Sequence, residues 1–223
     1  SNAKVSVVDD QMNEYIFQET TSGKYTSIEP FQAVSGRTYK LDITTSEGRN
    51  YASDPVVSPA TSEIENLYAE RTTFRGEDGM ALMIDVPAAP NTTGYYRYSF
   101  EETYKIISPF QYPLDLVYED GRFIEIKKTK EERVCYKTDN SQDIILANTN
   151  SEEGKNLKKF LVRFINSKNP ILSHRYTILV NQYVISEEEF AYYETLKDFS
   201  GSDNLFSQNQ PGFINGNVFS VDN

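Results

Sequence analysis

Apolar side chains recur at every second position over two long stretches near the middle of the chain, and no other feature constrains the fold as strongly. Met80, Leu82, Ile84 and Val86 share one face of an extended segment, and Tyr96, Tyr98, Phe100, Tyr104 and Ile106 share one face of another. A period of two sustained over such lengths belongs to half-buried strands of an antiparallel sheet. Arg122 to Lys128, Asp143 to Asn148, Lys159 to Asn166 and His174 to Ile185 add four further candidate strands. Between them, Gly76 to Gly79, Pro90 to Gly94 and Asn148 to Asn156 are polar and short enough to be the loops of a sandwich.

The N-terminal part has the same character on a smaller scale. Tyr39, Leu41 and Ile43 alternate against Lys40, Asp42 and Thr44, while Ser22-Gly23, Ser35-Gly36 and Glu47-Gly48 supply turn chemistry at a hairpin rhythm. Asp54-Pro55-Val56-Val57-Ser58-Pro59-Ala60 reads as a semi-rigid linker, because its prolines cannot donate ladder hydrogen bonds and hold the preceding residues extended. The expected architecture is mainly β: two β-sandwich domains of the immunoglobulin or fibronectin kind, residues 4–59 and 60–223. The first is small. Fewer than about 60 residues bury a poor fraction of their surface, so this module is expected to lean on its neighbour or to have lost strands upstream.

One helix interrupts the pattern, at about residues 186–199. Ser186-Glu187-Glu188-Glu189 is a capping box, with Glu189 expected to reach back and acidic groups facing the positive end of the helix dipole. Phe190, Tyr193 and Leu196 follow on one face, and Gly201 is placed to end the element. The aromatic stripe predicts packing on the second domain.

Charge and rare residues exclude whole classes of function. The chain carries 22 basic and 33 acidic residues, a net of −11, which opposes a sequence-independent grip on nucleic acid. With one Cys and one His in the sequence, neither an intrachain disulfide nor a zinc site of the Cys/His kind can be built. No cofactor or metal site is expected. His174 beside Ser173 does not make a hydrolase pair, because neighbours on a strand point to opposite faces. Cys135, between Val134 and Tyr136, reads as a small hydrophobe in the core. Asp139 to Asp143 has oxygen ligands at odd spacing but lacks the glycine and bidentate glutamate of a calcium loop, and reads as a turn. The pairs Glu63 with Glu65 and Glu101 with Glu102 read as solvated faces.

The remaining hint is aromatic: 16 Tyr and 13 Phe with no Trp. In Tyr95-Tyr96-Arg97-Tyr98, Tyr96 and Tyr98 belong to the apolar face, which leaves Tyr95 and Arg97 on the opposite one as candidate binding residues. Tyr and Arg are frequent at binding hot spots. The plain alternative is that such rings fill or edge a β core.

Several segments resemble a known family. In the first module these are Asn13 to Glu19, Gly23-Lys24-Tyr25, Val34 to Ile43 and Glu47 to Tyr51; the stretch is also similar to the carboxypeptidase-regulatory type of β-sandwich. In the second they are Ile64 to Tyr68, Tyr95 to Tyr98, Cys135-Tyr136 and Tyr176 to Gln182. The tail adds Ile185 to Tyr193, Leu205-Phe206, Pro211 to Ile214 and Gly216 to Val218. Together they resemble a large, functionally uncharacterised family of outer-membrane lipoproteins of Bacteroidota, often encoded beside TonB-dependent receptors. That resemblance implies a two-domain envelope protein held by a lipid anchor, with no catalytic residues to carry over. It implies further strands upstream and residues past Val221, and Ser1-Asn2-Ala3 looks like the remnant of a cleaved tag. The expected role is non-enzymatic: accessory binding of a protein, or of a glycan, beside an outer-membrane receptor. Alternatives are surface adhesion or a structural role, and a carboxylate-based hydrolase.

Overall fold

In the first sheet, local turns decide which strands meet. A computed structural model of the protein describes residues 2–89, 91–110, 112–130, 132–150, 156–201 and 216–221. The strands β1 (Lys4–Asp9), β2 (Glu14–Thr21), β3 (Lys24–Ser27), β4 (Thr38–Thr44), β5 (Asn50–Ser53) and β6 (Val56–Val57) pair antiparallel, with β1 between β2 and β4. Buried Asp9 holds the β1–β2 turn. Its carboxylate accepts the amides of Gln11 and Asn13 at 2.9 Å, the Asn13 side chain and the Tyr15 hydroxyl at 3.0 Å, and pairs with Arg37 at 2.8 Å. The interrupted edge around Pro55 follows from its missing N–H: β5 pairs with Asp42 to Thr44, and β6 with Thr38 and Tyr39.

Two sheets face each other in the larger part. One joins β7 (Asn66–Phe74) and β8 (Glu77–Val86) to a strand that arrives later in the chain. The β7–β8 turn is Arg75-Gly76, with φ of 51° and 81°, the both-positive geometry of a tight hairpin. Glu77 to Gly79, expected in a loop, therefore lie within β8. The second sheet is built on β9 (Tyr95–Ile107). Past it come β10 (Leu114–Glu119), β11 (Arg122–Lys127), β12 (Val134–Asn140) and β13 (Ile145–Asn148), of which β12 and β13 share one edge of β9. Then β14 (Leu157–Asn166) completes the first of the two sheets beside β8, and β15 (Tyr176–Ile185) takes the other edge of β9.

The core lies between these sheets. Ile84, Val86, Leu157 and Val162 meet Tyr96, Tyr98, Phe100 and Ala147, all buried. From Tyr96 to Tyr104 the period-two face of β9 thus points inward as the sequence predicts, whereas Ile106, expected on the same face, is exposed. In β8 the alternation breaks at Ala81 and Leu82, which are both buried, opposite a register shift in β14 between Leu161 and Arg163. A second irregularity, between Leu157 and Phe160, places Lys159 at a φ of 54°. Its amide donates to Asp85 Oδ1 at 2.8 Å, and that bond leads the causes holding the Asp85 carboxyl below its ordinary range.

The helix α1 (Glu187–Gly201) begins one residue after its cap and packs on β9 and β13. Ser186 Oγ accepts the Glu189 amide at 3.1 Å. The residue whose carboxyl engages Ser186 is Glu188, not Glu189; the bond from its own backbone amide, and then the contact with Ser186, hold it below the usual glutamate range. Finally β16 (Val218–Ser220) pairs with β5, Phe219 opposite Ala52, and Asn217 receives the Asp54 amide on its side-chain oxygen at 2.9 Å. Residues near the C-terminus thus extend the sheet begun by Lys4–Asp9. The tail segments Leu205-Phe206 and Pro211 to Ile214 lie outside the described residues.

Candidate functional site

Tyr95 and Arg97, singled out by the sequence, sit under the helix. Tyr95 is half-buried against Phe190, ring centroids 5.0 Å apart. Arg97 lies directly opposite Tyr183 in the β9–β15 ladder. Its guanidinium is over the Tyr183 ring at 4.4 Å and the Tyr193 ring at 5.0 Å, distances at which the ring quadrupole attracts a cation. Its Nε is buried with no hydrogen-bond partner among the described residues. Desolvation raises the Glu189 carboxyl above its ordinary range, with the Arg97 charge pulling the other way. The face of β9 that carries Tyr95 and Arg97 is the seat of α1.

A second polar cluster lies between the sheets and corrects the expectation that Glu101 and Glu102 form one solvated face. Glu101 is exposed, but Glu102 is 5% exposed. It has the parity of Phe100 and Tyr104 and so falls on the inward face. Arg163 on β14 reaches it with two bonds, Nε at 3.2 Å and Nη2 at 3.0 Å, and the Tyr176 hydroxyl donates to it at 2.7 Å. Burial, then the bond to Glu102, pushes the Tyr176 phenol far up. Beside it, Asp139 accepts from the Tyr104 hydroxyl and pairs with Lys137, both at 2.9 Å. These carboxylates are held by cations and phenols, the arrangement of a structural network. Asp139 lies within β12, one residue before its end, instead of opening a turn. Among the described residues, no group of three or more His, Cys, Asp or Glu is placed to hold a metal.

Two reactive side chains stand apart from both clusters. His174 is exposed in a bend ahead of β15, after a 3₁₀ turn at Pro170–Leu172. Cys135 is exposed, not buried. It lies opposite Ile106 near the end of β9, and Ile106 is itself exposed; the facing sheet does not cover this end, so the usual preference of cysteine for the core has nothing to act on.

Beyond that end projects the feature the sequence reading did not single out. β9 and β12 pair as far as Ile107 and Val134, and the chain between them folds into the β10–β11 hairpin, closed at Asp120-Gly121 with φ of 50° and 76°. Ser108 and Arg133 clamp its root through a backbone bond of 2.9 Å. Among the described residues the hairpin pairs with no other strand. The register puts Leu114, Leu116, Tyr118 and Phe123 on one face and Val117, Ile124 and Ile126 on the other. Leu116 and Tyr118 are each 64% exposed and Phe123 67%, whereas Val117 is 36% exposed. Tyr118 and Phe123 meet at 5.0 Å across the strands. The signal was present: Leu114, Leu116 and Tyr118 alternate, and Asp120-Gly121 is a tight-turn dipeptide.

A family model described as "Domain of unknown function (DUF4249)" matches residues 1–223, and the chain belongs to that family. No curated protein and no solved structure matches the chain.

Proposed function

We propose that this family member is a non-enzymatic accessory component of the bacterial envelope, which binds a partner protein beside a TonB-dependent receptor while a lipid anchor outside these residues holds it at the outer membrane. One observation carries the binding part. A two-stranded ribbon is marginally stable alone in water, yet β10–β11 presents Leu116, Tyr118 and Phe123 to solvent on one face. Clustered exposed apolar groups of this kind mark interaction sites. The envelope address rests on the family resemblance of the segments quoted above. A lipid anchor is compatible with the −11 charge, because acyl chains bind a membrane through apolar burial and need no basic patch.

Affinity capture of the intact lipoprotein from its native envelope tests this reading. Co-purification of an outer-membrane receptor or another envelope protein, resistant to washing and in fixed ratio, is expected. Recovery of the protein alone counts against it.

A further inference from the structure

We propose that the β10–β11 hairpin docks through the face of Leu114, Leu116, Tyr118 and Phe123 onto a partner protein whose apolar surface is rimmed by lysine or arginine, a proposal that rests on the protein-binding reading above. Charge chooses this occupant. The tip carries Glu119 and Asp120, and Glu125 lies directly opposite Leu116 on the docking face. None of the three has an ion-pair partner among the described residues, whereas Asp115, on the other face, is paired with Lys128 at 3.2 Å. Lys127 shares the docking face at the hairpin's root, opposite Leu114, and Arg122 lies opposite Glu119 on the other face, so residues 119–125 around the Tyr118–Phe123 pair hold three carboxylates against one cation. A surface that covers the Tyr118–Phe123 pair must therefore also take up carboxylates at the tip, and basic groups around an apolar patch do so.

The same carboxylates disfavour two other occupants. An anionic lipid surface repels them, and burying them among acyl chains is costly. A second copy of this chain would bring a like-charged hairpin tip, and a body of net charge −11, against the first; like charges placed face to face oppose association.

Photo-crosslinking in the native envelope tests the proposal. The intact lipoprotein carries Leu116→p-benzoylphenylalanine, an exposed position whose replacement leaves the core untouched, and cross-linked peptides are identified by mass spectrometry. The expected product joins the hairpin to a different protein, at a segment with apolar residues and at least two lysines or arginines on the same surface. The Glu119→Lys, Asp120→Lys double variant should lower the yield about tenfold with an unchanged unfolding curve. Cross-links to lipid, to another copy of this chain, or to a segment without basic residues overturn the proposal, as does an undiminished yield from the charge-reversed variant. Absence of any cross-link while a partner still co-purifies overturns the hairpin's role and leaves the binding function standing; loss of both overturns both.

Discussion

Arg163 and Glu102 tie the two sheets of the larger sandwich together: a guanidinium on β14 meets a carboxylate on β9 through two hydrogen bonds of 3.2 and 3.0 Å. The glutamate side chain is 6% exposed and that of the arginine 30%. Removing one partner of such a pair is costly because it strands the other charge. Arg163→Met is expected to cost about 3 kcal/mol, the low end for buried pairs since Arg163 keeps some solvent contact. Adding Glu102→Gln should recover part of that loss. Urea unfolding of the two single variants and the double variant measures the coupling; simply additive losses would contradict it.

Gly79 is required by contact, not by backbone conformation. A Cβ there would meet the Ile165 carbonyl oxygen and, at 2.6 Å, the Phe164 ring across the β8–β14 ladder. Gly79→Ala should destabilise by about 1–3 kcal/mol, the range for overpacking, and lower the melting temperature. An unchanged melting temperature would show that the two strands yield without cost.

Asp9 gives the first sheet a pH dependence with a definite sign. Burial raises its carboxyl, but bonds from Asn13, Tyr15 and Gln11 outweigh that and hold it at about 2. A group whose folded pKa is depressed stabilises above its unfolded value, about 3.9, and loses that contribution as pH falls from there toward 2. Asp9→Asn should flatten the stability profile over that window. Acid titrations of both proteins, followed by unfolding, make the comparison; parallel profiles would argue against it.

The helix is seated by Tyr95 and Arg97, so loosening its aromatic contacts should free it before the sheet. Phe190→Ala removes a ring pair worth about 0.5–1.5 kcal/mol beyond its area. Hydrogen exchange over residues 187–200 should quicken by up to about tenfold while the β9–β15 amides keep their protection. Equal loss of protection in both would mean that helix and sheet open together.

The inward face of β9 was legible from Tyr96, Tyr98 and Phe100 because burial on one side of a strand writes itself as a period of two. The helix was legible because Ser186 and the acidic first turn mark its start. Other features depended on partners far along the chain. Glu102 looks like a surface residue until Arg163, 61 positions away, is placed opposite it. Cys135 looks like core until the end of β9 proves uncovered by the facing sheet. The pairing of Phe219 with Ala52 has no local signal, since it depends on how the chain returns. The hairpin is half legible: Arg122 to Lys128 reads as a strand, and Leu114, Leu116 and Tyr118 alternate ahead of it, but no local signal says that the two pair outside the sandwich and leave that face uncovered.

Quantitative capture from native envelopes with the Leu116→Asp, Phe123→Asp double variant tests the central claim most directly, because both side chains are solvent-facing and their replacement spares the core. A wild-type protein that brings down an envelope partner, and a double variant that unfolds like wild type but recovers that partner at least about tenfold less, in line with loss of interface anchors, is the predicted result. Equal recovery by the two proteins would contradict it.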